Sequence, residues 1–181
     1  LKIIQNIREK FAKSFLLKQQ QEMDRKQKQV NLDSARSLVL LYYLPDEATY
    51  KVAESIVVRL SEMNLKVRVV CYTDQKIVPH YFIPKISQDI FTAKDLNWRF
   101  QPQKPFVKDF IETEYDILID LSLTDHLPLL YCAALSKAGL KVGRFQDDHK
   151  MFYDLMIHTN ASETIDSFAE QLIHYLSRIN N

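Results

Sequence analysis

At 181 residues with 46% apolar composition, the chain has the size and core-forming capacity of one globular domain. Its two cysteines, Cys71 and Cys132, each lie inside an apolar run, which excludes a disulfide framework or a cysteine zinc site and predicts reduced core thiols and a cytoplasmic location. Net charge is +1, yet residues 1–29 hold eight Lys or Arg against three acids, and the remainder holds 16 basic residues against 20 acidic.

The chain therefore divides into a basic arm, 1–29, and a mildly acidic body, 30–181. In the arm, Ile4, Ile7, Phe11 and Phe15 recur at three- and four-residue steps, which predicts an amphipathic helix from about Lys2 to Gln27. Its second half, rich in Gln and Lys, has little to bury and is expected to be solvated.

Ser37 to Tyr43 (SLVLLYY) is a continuous apolar run bounded by Pro45, and reads as a strand buried on both faces. Asp46 is placed to cap a helix over Glu47–Met63, where Tyr50, Ala53, Ile56, Val57 and Leu60 share a face. Lys66 to Tyr72 supplies a second strand, and strand, helix, strand in that order is a βαβ unit with parallel pairing.

Four prolines punctuate residues 75–108, leaving room for a short strand at Ile90–Thr92 and a turn at Asp95–Trp98. Further on come a short helix at Phe106–Glu112, a strand at Asp116–Leu121 (DILIDL), and a helix at His126–Ala138 ended by Gly139. Short strands at Lys141–Gly143 and Tyr153–His158 come next, and a final amphipathic helix opens at Ser162. The sum is a Rossmann-like, doubly wound three-layer α/β/α sandwich with a mostly parallel sheet.

Ligands of such sheets bind beyond the carboxyl ends of the strands, which directs attention to the polar residues at the end of DILIDL and just after it: Asp120, Ser122, Thr124, Asp125 and His126. A carboxylate there can hold a sugar hydroxyl or act as a base, and His126 can move a proton near neutral pH. The simpler reading is that Ser122, Thr124 or Asp125 caps the next helix, with Pro128 in its first turn.

With only Gly139 and Gly143 in the chain, there is no Gly-rich phosphate loop, and no cofactor is indicated. Gln146, Asp147, Asp148 and His149 form a second polar cluster that could help hold a metal, but they lack the spacing of a recognisable site and read more simply as an exposed turn. Trp98, the single tryptophan, either stacks on a ligand or, more simply, plugs the core.

The amphipathic arm admits three roles, in this order: docking on its own domain or on a dimer mate, lying on a membrane surface, or gripping nucleic acid. An acidic body without a recognised module argues against the last. No complete catalytic motif is present, so a non-enzymatic partner-binding or regulatory module comes first. A small-ligand binder or enzyme acting on a sugar or phosphorylated compound at Asp120 to His126 is the alternative.

Taken together, the stretches NLDSARSLVLLYY, FTAKDLNWRF, FIETEYDILIDLSLTDHLPLLYCAALSKAGLKVGRF and YDLMIH resemble a family of uncharacterised bacterial proteins, a domain of unknown function, from about Val30 to Ile179. The resemblance implies an α/β body with a helical arm and assigns no catalytic residue. More locally, YDILIDLS and LKVGRF are similar to the N-terminal Rossmann-like half of heptosyltransferase-type glycosyltransferases. Those enzymes use two such domains, whereas this chain has length for one, so only the fold is implied.

Overall fold

The computed structural model describes residues 2–179, with side chains described from Asn6 onward, so the Ile4 side chain lies outside the described residues. Helix α1 (Lys2–Gln21) is followed by β1 (Ser37–Tyr43), α2 (Glu47–Glu62), β2 (Lys66–Thr73), β3 (Gln88–Thr92) and α3 (Pro105–Glu112). After these come β4 (Ile117–Asp120), α4 (Leu127–Leu135), β5 (Leu140–Arg144), β6 (Leu155–Ile157) and α5 (Ile165–Arg178), with single 3₁₀ turns at Ala93–Asp95 and Asp147–His149.

All neighbouring strands pair in parallel, in the order β3-β2-β1-β4-β5-β6. This is the doubly wound order, whose direction reverses between β1 and β4. β1 sits at the centre, so its seven residues find apolar partners on both faces. Leu38, Leu40 and Tyr42 pack with α2 and α5, whereas Val39 and Leu41 pack with α3, α4 and Leu16 of α1. That explains the unbroken SLVLLYY run: a strand covered on both sides has no position to leave polar.

α2 begins where expected. The Asp46 side chain accepts from the Thr49 backbone N–H at 2.8 Å, which holds the Asp46 carboxyl below its ordinary range. Asp46→Ala is expected to cost about 1 kcal/mol, measured as a lower urea midpoint at unchanged slope.

Three local expectations need correction. The helix after His126 stops at Leu135 rather than at Gly139, because Ser136 is extended (ψ 140°) and the buried Lys141 ammonium donates to the Ala134 carbonyl at 2.7 Å. Gly139 instead lets residues 25–28 cross close by, since a Cβ there would lie 2.7 Å from Lys28 Cδ. The last helix opens at Ile165, capped reciprocally by Thr164 and Ser167, while Ser162 bonds back to Asn160.

The arm departs most. α1 ends at Gln21, and the face it turns inward carries Ala12 and Leu16, while Ile7 and Phe11 are 50% and 63% exposed. Its polar sequel is not simply solvated. Arg25 donates to the Ala138 and Gly139 carbonyls and to both oxygens of Asp154, and Lys28 pairs with Asp116 at 3.2 Å. Hydrophobic periodicity could not foresee this, because the fastening is polar and its partners lie more than 80 residues away. No helix among the described residues is long and apolar enough to cross a membrane.

Candidate functional site

At the point where strand order reverses, β1, β2 and β4 bring Tyr43, Tyr72 and Asp120 to the α4 side of the sheet's carboxyl edge. Asp120 is the last residue of β4 and is buried. It accepts the Tyr153 hydroxyl at 2.6 Å and the Ser122 backbone N–H at 2.9 Å. Gly143 makes this possible: a Cβ on it would stand 2.8 Å from the Tyr153 ring, so β5 carries no side chain where that ring lies. Burial first, and then the Asp120 carboxylate, push the Tyr153 phenol well above its ordinary value. Tyr153 therefore remains a hydrogen-bond donor.

The capping expectation is overturned. His126 occupies the N-cap position of α4 and makes no side-chain cap bond. Asp125 instead accepts from Arg144 at 2.5 Å and from Gln146 at 2.8 Å, tying the end of β4 to the end of β5. Thr124 Oγ1 lies 2.8 Å from His126 Nε2, and the imidazole stacks on Tyr43 with 3.8 Å between ring centroids. Burial holds His126 below its usual value, against the pull of Asp120, Asp74 and Asp125.

The exposed turn expected at 146–149 holds for Asp147 and Asp148 alone, since Gln146 is half-buried with its side chain on Asp125. Asp147 and Asp148 are exposed, but His149 is only 6% exposed and turns inward. Its Nε2 is buried with no hydrogen-bond partner among the described residues, the nearest carboxylate oxygen being Asp148 Oδ1 at 3.8 Å. Burial depresses this imidazole too, opposed by Asp125 and Asp148, so the neutral ring is favoured. Sequence reasoning misses His149, Arg144 and Tyr153 as site residues. The signal is their closeness to the ends of two short strands, masked by the acids flanking His149.

Two adjacent spaces result. A recess of about 20 Å³ is lined by Asp120, Ser122, Arg144, His149 and Tyr153. Beside it, a crevice of about 300 Å³ shares Asp125, His126 and His149, and is also lined by Glu9 and Lys13 of α1, Tyr72 and Phe100. Lys13 also pairs with Asp148 at 2.6 Å, so α1 is fastened at the rim. A further space of about 410 Å³ opens on the opposite side of the reversal point between the starts of α2 and α5, with a mostly apolar lining.

Of the residues singled out from sequence, Asp120, Ser122, Asp125 and His126 come together around the recess. Trp98 does not. It is 58% exposed, so it neither plugs the core nor enters the crevice, and its neighbour Phe100 lines the crevice instead. Phe100 holds a left-handed backbone (φ 61°), a conformation a bulky residue rarely adopts, and its ring lies 3.8 Å from the Arg8 guanidinium.

A parallel sheet in the order 3-2-1-4-5-6 with helices on both faces, and a polar cluster at its reversal point, defines a Rossmann-like α/β domain. The chain belongs to a family of unknown function (DUF6913), whose model matches residues 8–179. No curated protein matches the sequence. Among solved structures, the chain is similar to the E. coli heptosyltransferase WaaC with ADP, at 12% identity and a TM-score of 0.48, covering 78% of this chain and 48% of that one. This chain thus spans about half the length of that enzyme.

Proposed function

We propose that this chain is a binding domain for a small hydroxylated molecule, held in the crevice with one polar group inserted into the recess. The observation that carries this reading is His149 Nε2, a buried atom of a residue that lines both spaces, without a hydrogen-bond partner among the described residues. Buried polar atoms in native proteins are almost always satisfied, and an orphan costs about 1–3 kcal/mol. A ligand hydroxyl in the recess removes that cost.

Around it stand a carboxylate and guanidinium pair, Asp125 and Arg144, and a neutral His126 stacked on Tyr43. This mixture suits a sugar or polyol, which presents hydroxyls to carboxylates and imidazoles and C–H faces to aromatic rings. The acids around the two spaces, Glu9, Asp120, Asp125 and, beside His149, Asp148, oppose a highly charged anion.

The test pairs binding with stability. Neutral monosaccharides and their monophosphates are added in turn to protein labelled in its histidine rings, and the His126 and His149 resonances are followed. Saturable shifts of both rings with at least one neutral sugar are expected. His149→Leu is expected to abolish the response while leaving stability unchanged or raising it by about 1 kcal/mol, because an unsatisfied nitrogen leaves the interior. A panel without ring shifts, together with a His149→Leu protein destabilised by more than about 2 kcal/mol, would mark His149 as structural and sink the proposal.

A further inference from the structure

The outward face of α1 is the second unexplained feature. Its exposed side chains are Asn6, Ile7, Lys10, Phe11, Ser14, Lys18 and Gln21, and none of them is acidic. Ile7 and Phe11 are one turn apart. Trp98 extends this strip from the neighbouring loop, which is joined to α1 by Arg8 donating to the carbonyls of Asn97 and Trp98. The Arg99 guanidinium lies 4.3 Å from the Phe15 ring and 4.7 Å from the Trp98 ring, placing both aromatics on one cationic surface.

The sequence pattern puts Ile7 and Phe11 on the apolar face of the arm, yet the core takes Ala12 and Leu16 instead. An amphipathic helix that buries Ala12 and Leu16 on one face and presents Ile7 and Phe11 to water on the other, between lysines, has the chemistry of a helix that lies in a lipid headgroup layer. We infer that the outer face of α1, with Trp98, docks on an anionic lipid bilayer. This inference is independent of the crevice.

Charge decides between a bilayer and a second copy of the chain. A two-fold pairing of this face on itself sets Lys10 and Lys18 of one copy against the same lysines of the other. Like charges then meet, and among the exposed side chains of α1 no carboxylate neutralises them, the nearest exposed acid in sequence being Glu22 just past its end. An anionic headgroup layer supplies that charge, and the aromatic and aliphatic side chains enter the boundary between headgroups and acyl chains.

The full chain is mixed with sedimentable vesicles of phosphatidylcholine alone or with added phosphatidylserine, at low and at physiological salt. Binding to the serine-containing vesicles is expected, weakened by salt, with a blue shift of the fluorescence of Trp98, the single tryptophan. Phe11→Glu is expected to lower partitioning about tenfold or more, the factor implied by losing one buried Phe. Trp98→Ala, on the adjoining loop, provides a second variant, and both positions are exposed enough to leave the fold intact. Equal partitioning into the two vesicle types, unchanged binding of both variants, or a solution dimer dissolved by Phe11→Glu would each overturn the inference.

Discussion

Between pH 7 and pH 9 the wild-type protein is expected to gain stability relative to Lys141→Met, by about 1.4 kcal/mol for each pH unit. Lys141 lies in β5 with no exposed surface, and among the described residues its side-chain nitrogen has one acceptor, the Ala134 carbonyl at 2.7 Å. Burial lowers its pKa to about 7, with nearby Arg25 adding to the effect and Asp154 opposing it.

Proton counts fix the sign. Below about pH 7 the folded and unfolded chains both carry the proton, so this group adds no pH dependence. Above it the folded chain has released the proton while the unfolded lysine, ionising near 10.5, still binds it. The unfolded state then holds more protons and stability rises with pH. Cys71 and Cys132 act in the opposite sense above about pH 9, because burial raises both thiols. Comparison with Lys141→Met cancels them. Urea titrations at half-unit pH steps give the difference directly, and parallel wild-type and variant curves would show that Lys141 stays protonated in the fold.

A buried lysine beside a helix end is invisible to pattern reading, and it shows where the sequence stops being informative. β1, α2 and β2 are legible because their signals are local: an apolar run, a capping carboxylate three residues before its N–H partner, and a period of 3.6. α4 is placed but overextended, because its stop is made by Lys141 from the next strand rather than by the glycine beyond it. Asp120, Ser122, Asp125 and His126 are legible as an address because topology alone points to strand ends. Their partners Tyr153, Arg144 and His149 are not, since two short strands and a 3₁₀ turn carry too few residues to show a period.

The arm gives the same lesson with the opposite outcome. Helical spacing marks Ile7 and Phe11 as the face to bury, but spacing says only that they share a face. Which face meets the body is settled downstream, where Arg25 and Lys28 fix the path of the chain across Gly139.

Arg25→Ala is therefore expected to destabilise the protein by about 2–4 kcal/mol, well beyond an ordinary surface ion pair. The Arg25 and Asp154 side chains are 12% and 14% exposed, and the guanidinium fork engages both carboxylate oxygens while also satisfying the Ala138 and Gly139 carbonyls at 2.7 and 2.9 Å. Removing it leaves a shielded carboxylate with the Lys141 backbone N–H and Gln27 as its remaining donors. Arg25→Lys is expected to recover little, because one ammonium cannot span two carbonyls and a carboxylate.

Acid sensitivity separates this clamp from simple packing. Burial raises the Asp154 carboxyl, but donors from Arg25, the Lys141 N–H and Gln27 outweigh it and hold the group below its usual range. A depressed carboxyl contributes stability above its unfolded value and loses it as pH falls through the folded one. The wild type should therefore lose stability below about pH 4 more steeply than Arg25→Ala, which has lost part of that depression already. A loss under about 0.5 kcal/mol at neutral pH, with equal acid limbs, would mean that α1 is held by Leu16 and its neighbours alone. Because Glu9 and Lys13 of α1 line the crevice, the same variant should also weaken a ligand-induced shift of the His149 ring without touching a residue that lines it.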